Sequence, residues 1–505
     1  MKRIYLISLL GLFFLSCSEE FLDLKPRGSE TEANFYQNED QLFQGLIAVY
    51  DVLPWGGTAG WTMSLGLLNA ASDDCYAGGS DRSDQPSWVA WDEFNLGPEL
   101  GPQEGLWNKY YTGIARANLM LEKLPEAVDV DESFKARLEA ESRFLRAHFY
   151  FDLVRTFGNV ILTTERISVA AIPDQSQVSS DEIYNLIEED LRAALNEPMI
   201  PEVTARADQG RVNKNVIRAL LGKVILYRND DSRMLEAVDY FTQVIESGNY
   251  QLEPEFADIF SFENEWGMES IWEYQHSEKA RGGWESFANG TEGNYTTQFI
   301  GMRDYNGPTS AQYDGPDFAT GWSFNPVTPE LVDFMRNDPR FIHTIIDGNQ
   351  LRNLGAGYTE GFQNTNFFIR KYAPVSDFRA LDGEPAINWQ NNERAIRLAD
   401  VLLMAAESLV RGGGDESLAR GYVNQVRSRV GLRPISNSGQ ALIDAIYRER
   451  RAELATEGHR FFDLVRTGQA EQVLEGFVPG VHELLPIPQR EIDLTQGALL
   501  QNPGY

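Results

Sequence analysis

The sequence predicts a mostly α-helical fold, in which tetratricopeptide-like helix pairs form a scaffold and a loop-rich part with few short strands displays the candidate ligand-binding side chains. Three observations support this prediction. Helical periodicity dominates up to about residue 252 and returns after residue 392. Small residues stand where paired helices would touch. Between the two helical regions, Gly, Asn and Pro are frequent and regular periodicity is short.

The clearest helices are predicted in the N-terminal half. Over residues 135–157, apolar residues recur at intervals of four and seven, and Gly158 follows where a C-cap is expected. Ser179 and Glu182 match a capping box and open a second amphipathic stretch. Both segments are therefore predicted to pack one apolar face against a core.

A helical hairpin is predicted next, from the apolar stripes in residues 216–224 and 235–245. Ala219 and Gly222 would let its two helices approach closely, which resembles tetratricopeptide packing without a strict 34-residue repeat. Helices are predicted to return at residues 393–411, 417–430, 442–456 and 461–474.

The N terminus reads as a lipoprotein leader. A basic pair precedes an apolar run of 12 residues, 4–15, which falls short of the roughly 20 residues needed to span a bilayer. Ser16 and Cys17 follow this run, so we expect residues 1–16 to be a lipoprotein signal peptide, Cys17 to be lipidated, and residues 17–28 to form a tether. Ordinary cleavage nearby, with Cys17 a plain thiol, is the alternative. Cys75 would then be an unpaired, buried thiol.

The length and net charge of the chain limit its possible functions. The chain has 505 residues, 42% of them apolar, and a net charge of −31. This charge opposes binding to nucleic acid and to anionic lipid. After the tether, we predict an N-terminal helical region at 29–252, a loop-rich aromatic region at 253–392 and a C-terminal helical region at 393–505.

The tryptophans suggest a ligand. Sugars present apolar C–H faces beside hydroxyl groups, and aromatic rings displayed on loops bind such faces with little loss of side-chain entropy. Four tryptophans in turn-rich segments are the candidates, with core packing as the competing interpretation of each: Trp88, Trp91, Trp284 and Trp322. Packing is favoured for Trp55, Trp61, Trp266 and Trp389, and core positions are predicted for Trp107 and Trp272.

Catalytic and metal-binding motifs are not found. The five histidines form no HExxH pattern, and the chain has no GxSxG elbow, no P-loop and no EF-hand loop. Paired carboxylates for glycoside hydrolysis are not excluded by spacing, but solvated surface carboxylates are the favoured interpretation. No cofactor and no metal site are predicted. Calcium is left open, since loops such as residues 314–317 carry oxygen ligands without a diagnostic spacing.

Several segments together resemble one family. They are residues 21–26 (Phe-Leu-Asp-Leu-Lys-Pro), 140–158, 210–214, 449–466, 485–488 and 501–505. Over nearly the whole chain after the leader, the sequence is similar to the SusD/RagB family of outer-membrane lipoproteins. The resemblance implies a helical fold with tetratricopeptide-like pairs, no enzymatic activity, and a lipid-anchored position on the outer membrane, facing out of the cell. It also implies capture of a glycan, as oligosaccharide or polysaccharide, and its delivery to a SusC-like TonB-dependent β-barrel transporter.

The resemblance also suggests site residues. Asp73 and Asp74 stand where the family often has an acidic pair near the ligand, so both are predicted as polar contacts. The family's stacking aromatics are assigned by region to Trp88, Trp91, Trp284, Tyr295 and Trp322. The C-terminal signature is predicted to be structural, an ion-pair network formed by Arg450, Arg451, Glu453, Glu457, Arg460 and Asp463. Three other functions stay open: capture of peptides or glycopeptides, surface glycoside hydrolysis, and a scaffold that binds only protein.

Overall fold

The structure is a computed structural model. It describes residues 32, 35–56, 61–277, 283–284, 292–381 and 383–505. The predicted leader, Cys17 and the tether lie outside the described residues. In the described part of the chain, no helix is long and apolar enough to cross a membrane.

The N-terminal half is built from helices packed side by side. They are α1 (Glu39–Tyr50), α2 (Ser64–Ala70), α3 (Pro86–Asp92), α4 (Gln103–Lys123), α5 (Glu132–Phe157), α6 (Ser180–Asn196), α7 (Lys214–Tyr227) and α8 (Met234–Ile245). Helix α5 packs against α4 and α6, and α7 packs against α8. This confirms the prediction of a mostly helical scaffold.

Local sequence signals account for these helices. The capping box at the start of α6 forms as predicted, with Ser179 and Glu182 each bonding the other's backbone. Gly158 ends α5 with φ of 72°, which an L side chain rarely adopts. In the predicted hairpin, a Cβ added at Gly222 would lie 2.5 Å from the Phe241 ring, so glycine is what lets α7 and α8 touch.

The loop-rich region holds short elements only. Its helices are α9 (Tyr295–Ile300), α10 (Pro329–Met335), α11 (Phe341–Thr344) and α12 (Gly348–Asn353). The strands of the described chain are β1 (Val160–Ile161), β2 (Gln177–Val178), β3 (Ser270–Tyr274), β4 (Arg303–Asn306), β5 (Ile345–Asp347), β6 (Gly357–Thr359), β7 (Phe367–Ile369) and β8 (Glu393–Arg397). They pair antiparallel as β1–β2, β3–β8, β4–β6 and β5–β7.

The C-terminal part is helical again. It contains α13 (Leu398–Arg411), α14 (Glu416–Arg429), α15 (Gln440–Leu454), α16 (Arg460–Arg466), α17 (Ala470–Val473) and α18 (Gln489–Leu494). Two predictions were wrong in detail. Residues 393–397 form strand β8, because they pair with β3 in a register that sets Ser270 opposite Arg397. The helix predicted at 461–474 is split into α16 and α17, with Gly468 at φ of 68° between them.

A buried cluster of charges ties the C-terminal helices to the loop-rich region. Glu453 accepts hydrogen bonds from Arg340 at 3.0 Å, from Arg397 at 2.5 Å and from Arg429. Burial opposes the ionisation of Glu453, but the guanidinium groups of Arg429, Arg397 and Arg340 outweigh it and hold the pKa of that carboxyl well below its usual range. We call these four residues the arginine cluster.

The predicted ion-pair network of the C-terminal signature is confirmed. Arg450 bonds Asp463 at 2.7 Å and Asp400 at 2.5 Å. Glu457 accepts from Arg397 at 2.8 Å and from Lys371 at 2.6 Å. The network therefore joins α13, α15 and α16 to β8, which is a structural role.

Candidate functional site

Three tryptophans from distant parts of the chain form an aromatic surface. The rings of Trp284 and Trp322 stack with centroids 6.1 Å apart and planes 22° apart. Trp61 meets Trp322 edge to face, at 5.8 Å and 82°. Trp284 is 48% exposed, and Trp61 and Trp322 are half-buried. We call these three residues the tryptophan platform.

A packed aromatic layer supports the platform from below. Phe299 lies 5.0 Å from Trp61 and 5.1 Å from Trp322, ring centroid to ring centroid. Tyr295 lies 5.9 Å from Trp61 and is 5% exposed. Burial raises the pKa of the Tyr295 phenol, which is therefore neutral at physiological pH. Because these rings are buried on α9, the platform rests on a rigid base.

Backbone pairing fixes the position of Trp322. Its N–H donates to the Gln298 carbonyl at 2.9 Å, and the next N–H, of Ser323, donates to Gly301 at 2.7 Å. At this crossing the two chain segments touch, since a Cβ added at Gly321 would lie 2.3 Å from the Cα of Gly301. Position 321, beside Trp322, therefore requires glycine, because the two backbone segments approach closely there.

An arginine and a carboxylate form the polar edge of the platform. The Nη2 of Arg303 donates to the Trp322 carbonyl at 2.7 Å and to Asp84 Oδ2 at 3.3 Å. Its Nε donates to the Ser323 hydroxyl at 3.3 Å. Asp84 in turn accepts from the Ser80 N–H at 2.8 Å. Arg303 thus connects β4, the Trp322 segment and the 80–84 loop, and sets hydrogen-bonding groups beside the indole rings.

Trp61 is the platform member that sequence reasoning did not select. It adopts φ of 60°, and its carbonyl accepts a hydrogen bond from the Trp88 indole at 2.9 Å. The sequence does hold a signal for it. Each platform tryptophan directly follows a glycine, in the pairs Gly60-Trp61, Gly283-Trp284 and Gly321-Trp322. None of the other tryptophans does.

The structure corrects the predicted roles of three aromatic residues. Trp88 is fully buried and stacks on Phe299 at 5.3 Å, and Trp91 is 2% exposed and packs on Phe461 at 5.4 Å. The prediction that these two contact a ligand was wrong, because the short helix α3 turns both into the core. Tyr295, 5% exposed, underlies the platform and offers it support. For Trp284 and Trp322, contact with a ligand stays a prediction.

The acidic pair is also corrected. Asp73 accepts from Arg460 at 2.7 Å and forms an ion pair with Arg451 at 2.7 Å. Asp74 is 1% exposed and bonds Arg451 at 3.2 Å. Both carboxylates are thus engaged by the C-terminal helices. The prediction that Asp74 contacts a ligand was wrong, because this residue is buried, whereas ligand contact by Asp73 stays a prediction. Their role is to join the α2–α3 connection to the C-terminal ion-pair network.

Other predicted positions are structural. Cys75 is a free, buried thiol, and burial raises its pKa, so it is the small core residue that was predicted. Trp107 and Trp272 lie in the core as predicted. Within the described ranges, no group of three or more His, Cys, Asp and Glu side chains is arranged to hold a metal ion.

The chain belongs to the SusD family. Residues 246–481 match the model of that family, and residues 20–226 match a second model described as starch-binding associating with outer membrane. A curated relative, SusD-like protein P25 of Formosa agariphila, is 25% identical over 97% of both chains.

Solved structures share the fold over nearly their whole length. A laminarin-binding SusD-like protein is 39% identical, with a TM-score of 0.85 over 93% of this chain and 100% of the other. Surface glycan-binding protein A from Bacteroides fluxus is 30% identical, with a TM-score of 0.83 over 92% and 99%. The corresponding protein from Bacteroides thetaiotaomicron, in complex with laminarihexaose, is 28% identical, with a TM-score of 0.82 over 92% and 99%.

Proposed function

We propose that this protein captures a glycan on the tryptophan platform and hands it to a SusC-like TonB-dependent transporter of the outer membrane. One observation carries the proposal: three Gly-Trp pairs, far apart in the chain, bring their indoles together at a surface edged by Arg303 and Asp84. Indole faces take the C–H faces of sugar rings, while the charged edge donates to and accepts from hydroxyl groups.

The rings are set at an angle that suits a bent chain. Trp284 and Trp322 are close to parallel, and Trp61 stands almost perpendicular to Trp322. A sugar chain that stacks on both Trp61 and Trp322 must therefore curve across the platform. Among the similar structures, one binds laminarin and another holds laminarihexaose. A curved β-glucan of the laminarin type is accordingly the ligand that we propose.

The protein acts by binding, without catalysis. Similar solved structures are named as surface glycan-binding proteins, which supports a role in binding. The match to a family associated with the outer membrane supports placing the protein there. We propose Cys17 as the lipid anchor, with the binding face turned outward.

Calorimetry of laminarihexaose binding to the chain from Ser18 to Tyr505 tests the binding step. We expect saturable binding that Trp322→Ala weakens about 30-fold, since losing one stacked ring costs roughly 2 kcal/mol. Tyr184→Ala, which removes a half-buried aromatic ring from the scaffold helix α6, is the matched control and should bind as the wild type does.

Equal binding by the wild type and Trp322→Ala would overturn the proposed site. If affinity electrophoresis shows no retardation by any polysaccharide while peptide mixtures bind saturably, capture of peptides replaces capture of glycans. Delivery is tested separately, by co-purifying the lipidated protein with a TonB-dependent barrel from the same cells. Failure to co-purify would remove the transporter from the proposal and leave glycan binding unaffected.

A further inference from the structure

An apolar groove lies on the scaffold, formed by α4, by the segment 161–175 and by α18. Its volume is about 550 Å³. Its walls are mainly apolar and include Trp107, Tyr111, Ile161, Ile167, Ile172 and Leu494. The side chains of Ile167 and Leu494 are 36% and 43% exposed at the rim. Large apolar surfaces of this kind usually mark a place where another chain segment binds.

The described chain enters the molecule at the rim of this groove. Glu32 accepts a hydrogen bond from Arg166 at 2.7 Å and lies 3.9 Å from the Lys123 ammonium group. Arg166 itself lines the groove. It is held in place by Glu122, which accepts from its Nε at 2.7 Å. Glu32, the first described residue, is therefore held beside the groove.

Those residues, which lie outside the described ranges, carry an apolar stretch of suitable length. Phe21, Leu22 and Leu24 fall within four positions, and residues 25–31 that follow are polar or small apart from Pro26. Seven or eight extended residues span roughly 25 Å. The face of α4 that lines the groove, from Trp107 to Leu119, is about 18 Å long at 1.5 Å per residue. The stretch can thus reach along the whole α4 face of the groove.

The apolar lining and the reach of the chain point to the same occupant. We propose that residues 21–24 bind in the groove, with Phe21, Leu22 and Leu24 covering its apolar walls. The groove is then a docking site for the chain's own N-terminal segment. Docking would hold the scaffold at a defined distance from the proposed lipid anchor at Cys17. This inference does not depend on which ligand the platform binds.

Disulfide trapping in the chain from Ser18 to Tyr505 tests the docking directly. Leu24→Cys combined with Ala115→Cys, an exposed position on the groove wall of α4, should form a disulfide under mild oxidation. Leu24→Cys with Gln243→Cys, exposed on α8, is the matched control. We expect the groove pair to close at least tenfold faster. Equal rates for the two pairs would overturn the proposal.

Trypsin gives a second readout that needs no new cysteine. We expect cleavage after Arg27 to be at least tenfold slower in the wild type than in the triple variant Phe21→Ser, Leu22→Ser, Leu24→Ser. Ala115→Glu, which obstructs the groove and leaves the sequence of the N-terminal segment unchanged, should expose the same bond to cleavage. The control Glu19→Gln, Glu20→Gln should be cleaved as slowly as the wild type. Equal cleavage in all variants, or protection that grows with protein concentration and so reports a second copy, would contradict the docking.

Discussion

The tryptophan platform and the arginine cluster are built from different kinds of side chain, aromatic rings in one and paired charges in the other. Around Glu453, three guanidinium groups and their carboxylate partners are almost fully buried, and each is held by several charge-assisted hydrogen bonds. At the platform, indole rings meet at 5.8–6.1 Å through ring contacts, and Trp284 is 48% exposed. The first region makes the molecule rigid, and the second offers a face to a ligand.

The comparison shows that the segments resembling the family and the candidate binding residues lie in different regions. The segment 449–466, one of those that resemble the family, folds into the buried ion network, so its residues are constrained by one another. The platform tryptophans instead follow glycines and pack on other aromatic rings, and Trp284 is 48% exposed. Substitutions should therefore divide into those that change stability and those that change affinity.

The largest effect is expected in the arginine cluster. Glu453→Gln leaves three buried arginines short of a counter-charge, and we expect the free energy of unfolding to fall by about 3–5 kcal/mol. Urea denaturation measures this. Glu132→Gln, which removes the exposed carboxylate paired with Lys135, should cost less than about 1 kcal/mol. If Glu453→Gln were as stable as that control, the cluster would not be the rigid part of the molecule.

Asp73 is expected to affect stability and to leave glycan affinity unchanged. Asp73→Asn weakens bonds to Arg451 and Arg460, and we expect a loss of about 1–3 kcal/mol in the free energy of unfolding. Laminarihexaose affinity, measured by calorimetry, should stay within twofold of the wild type. The exposed control Asp129→Asn should change neither quantity. A tenfold loss of affinity in Asp73→Asn would return Asp73 to the site.

Arg303 should behave in the opposite way. Arg303→Met removes the hydrogen bond to the Trp322 carbonyl and the charge at the platform edge, and we expect laminarihexaose to bind about tenfold more weakly. The free energy of unfolding should fall by less than about 1 kcal/mol, since the Asp84 pair is partly exposed. Arg379→Met, at an exposed position, serves as the control. An unchanged affinity would place the polar edge outside the binding site.

The last effect concerns pH. Burial lowers the pKa of His148 to about 4, although Asp152 lies 3.7 Å away. Between pH 4 and 6.5 the unfolded chain binds this proton more tightly, so the contribution of His148 to stability is complete above pH 6.5 and is lost as the pH falls towards 4. His148→Phe should reduce the slope of unfolding free energy against pH by at most about 1.4 kcal/mol per pH unit.

The variant Tyr274→Phe distinguishes the effect of His148 protonation from the effect of losing its hydrogen bond. The Tyr274 hydroxyl and His148 Nε2 are 2.8 Å apart, so this variant loses the same hydrogen bond but keeps the imidazole. Urea titrations at several pH values should show lower stability with an unchanged slope. Identical slopes in the wild type, His148→Phe and Tyr274→Phe would show that another group carries the acid sensitivity.

The helices were predictable because their signals are local. The periodicity and capping box that predicted α6 lie within residues 179–195, and the helix observed is Ser180–Asn196. Strand β8 was missed because residues 393–397 take their conformation from β3, more than a hundred residues away. The sequence near residue 393 contains no sign of that partner.

The site was predictable in part, for the same reason. Trp284 and Trp322 were selected by their loop context, which is local. Trp88 and Trp91 were misassigned because a polar, turn-rich stretch contains the short helix α3, started by Pro86 at its first turn, and its apolar face is buried. The contact between Arg303 and Asp84 joins strand β4 to the 80–84 loop, which is far away in the chain, and no local pattern in either segment predicts it.

The close approach of Gly301 and Gly321 determines which positions at this surface can tolerate substitution. Any side chain at position 321 would collide with the opposing backbone at 2.3 Å, whereas the ring at position 322 points away from that crossing onto the platform. A library that randomises position 322 together with positions 61 and 284, and keeps both glycines fixed, should yield folded proteins of altered ligand preference. The same library with position 321 opened should yield mostly misfolded chains.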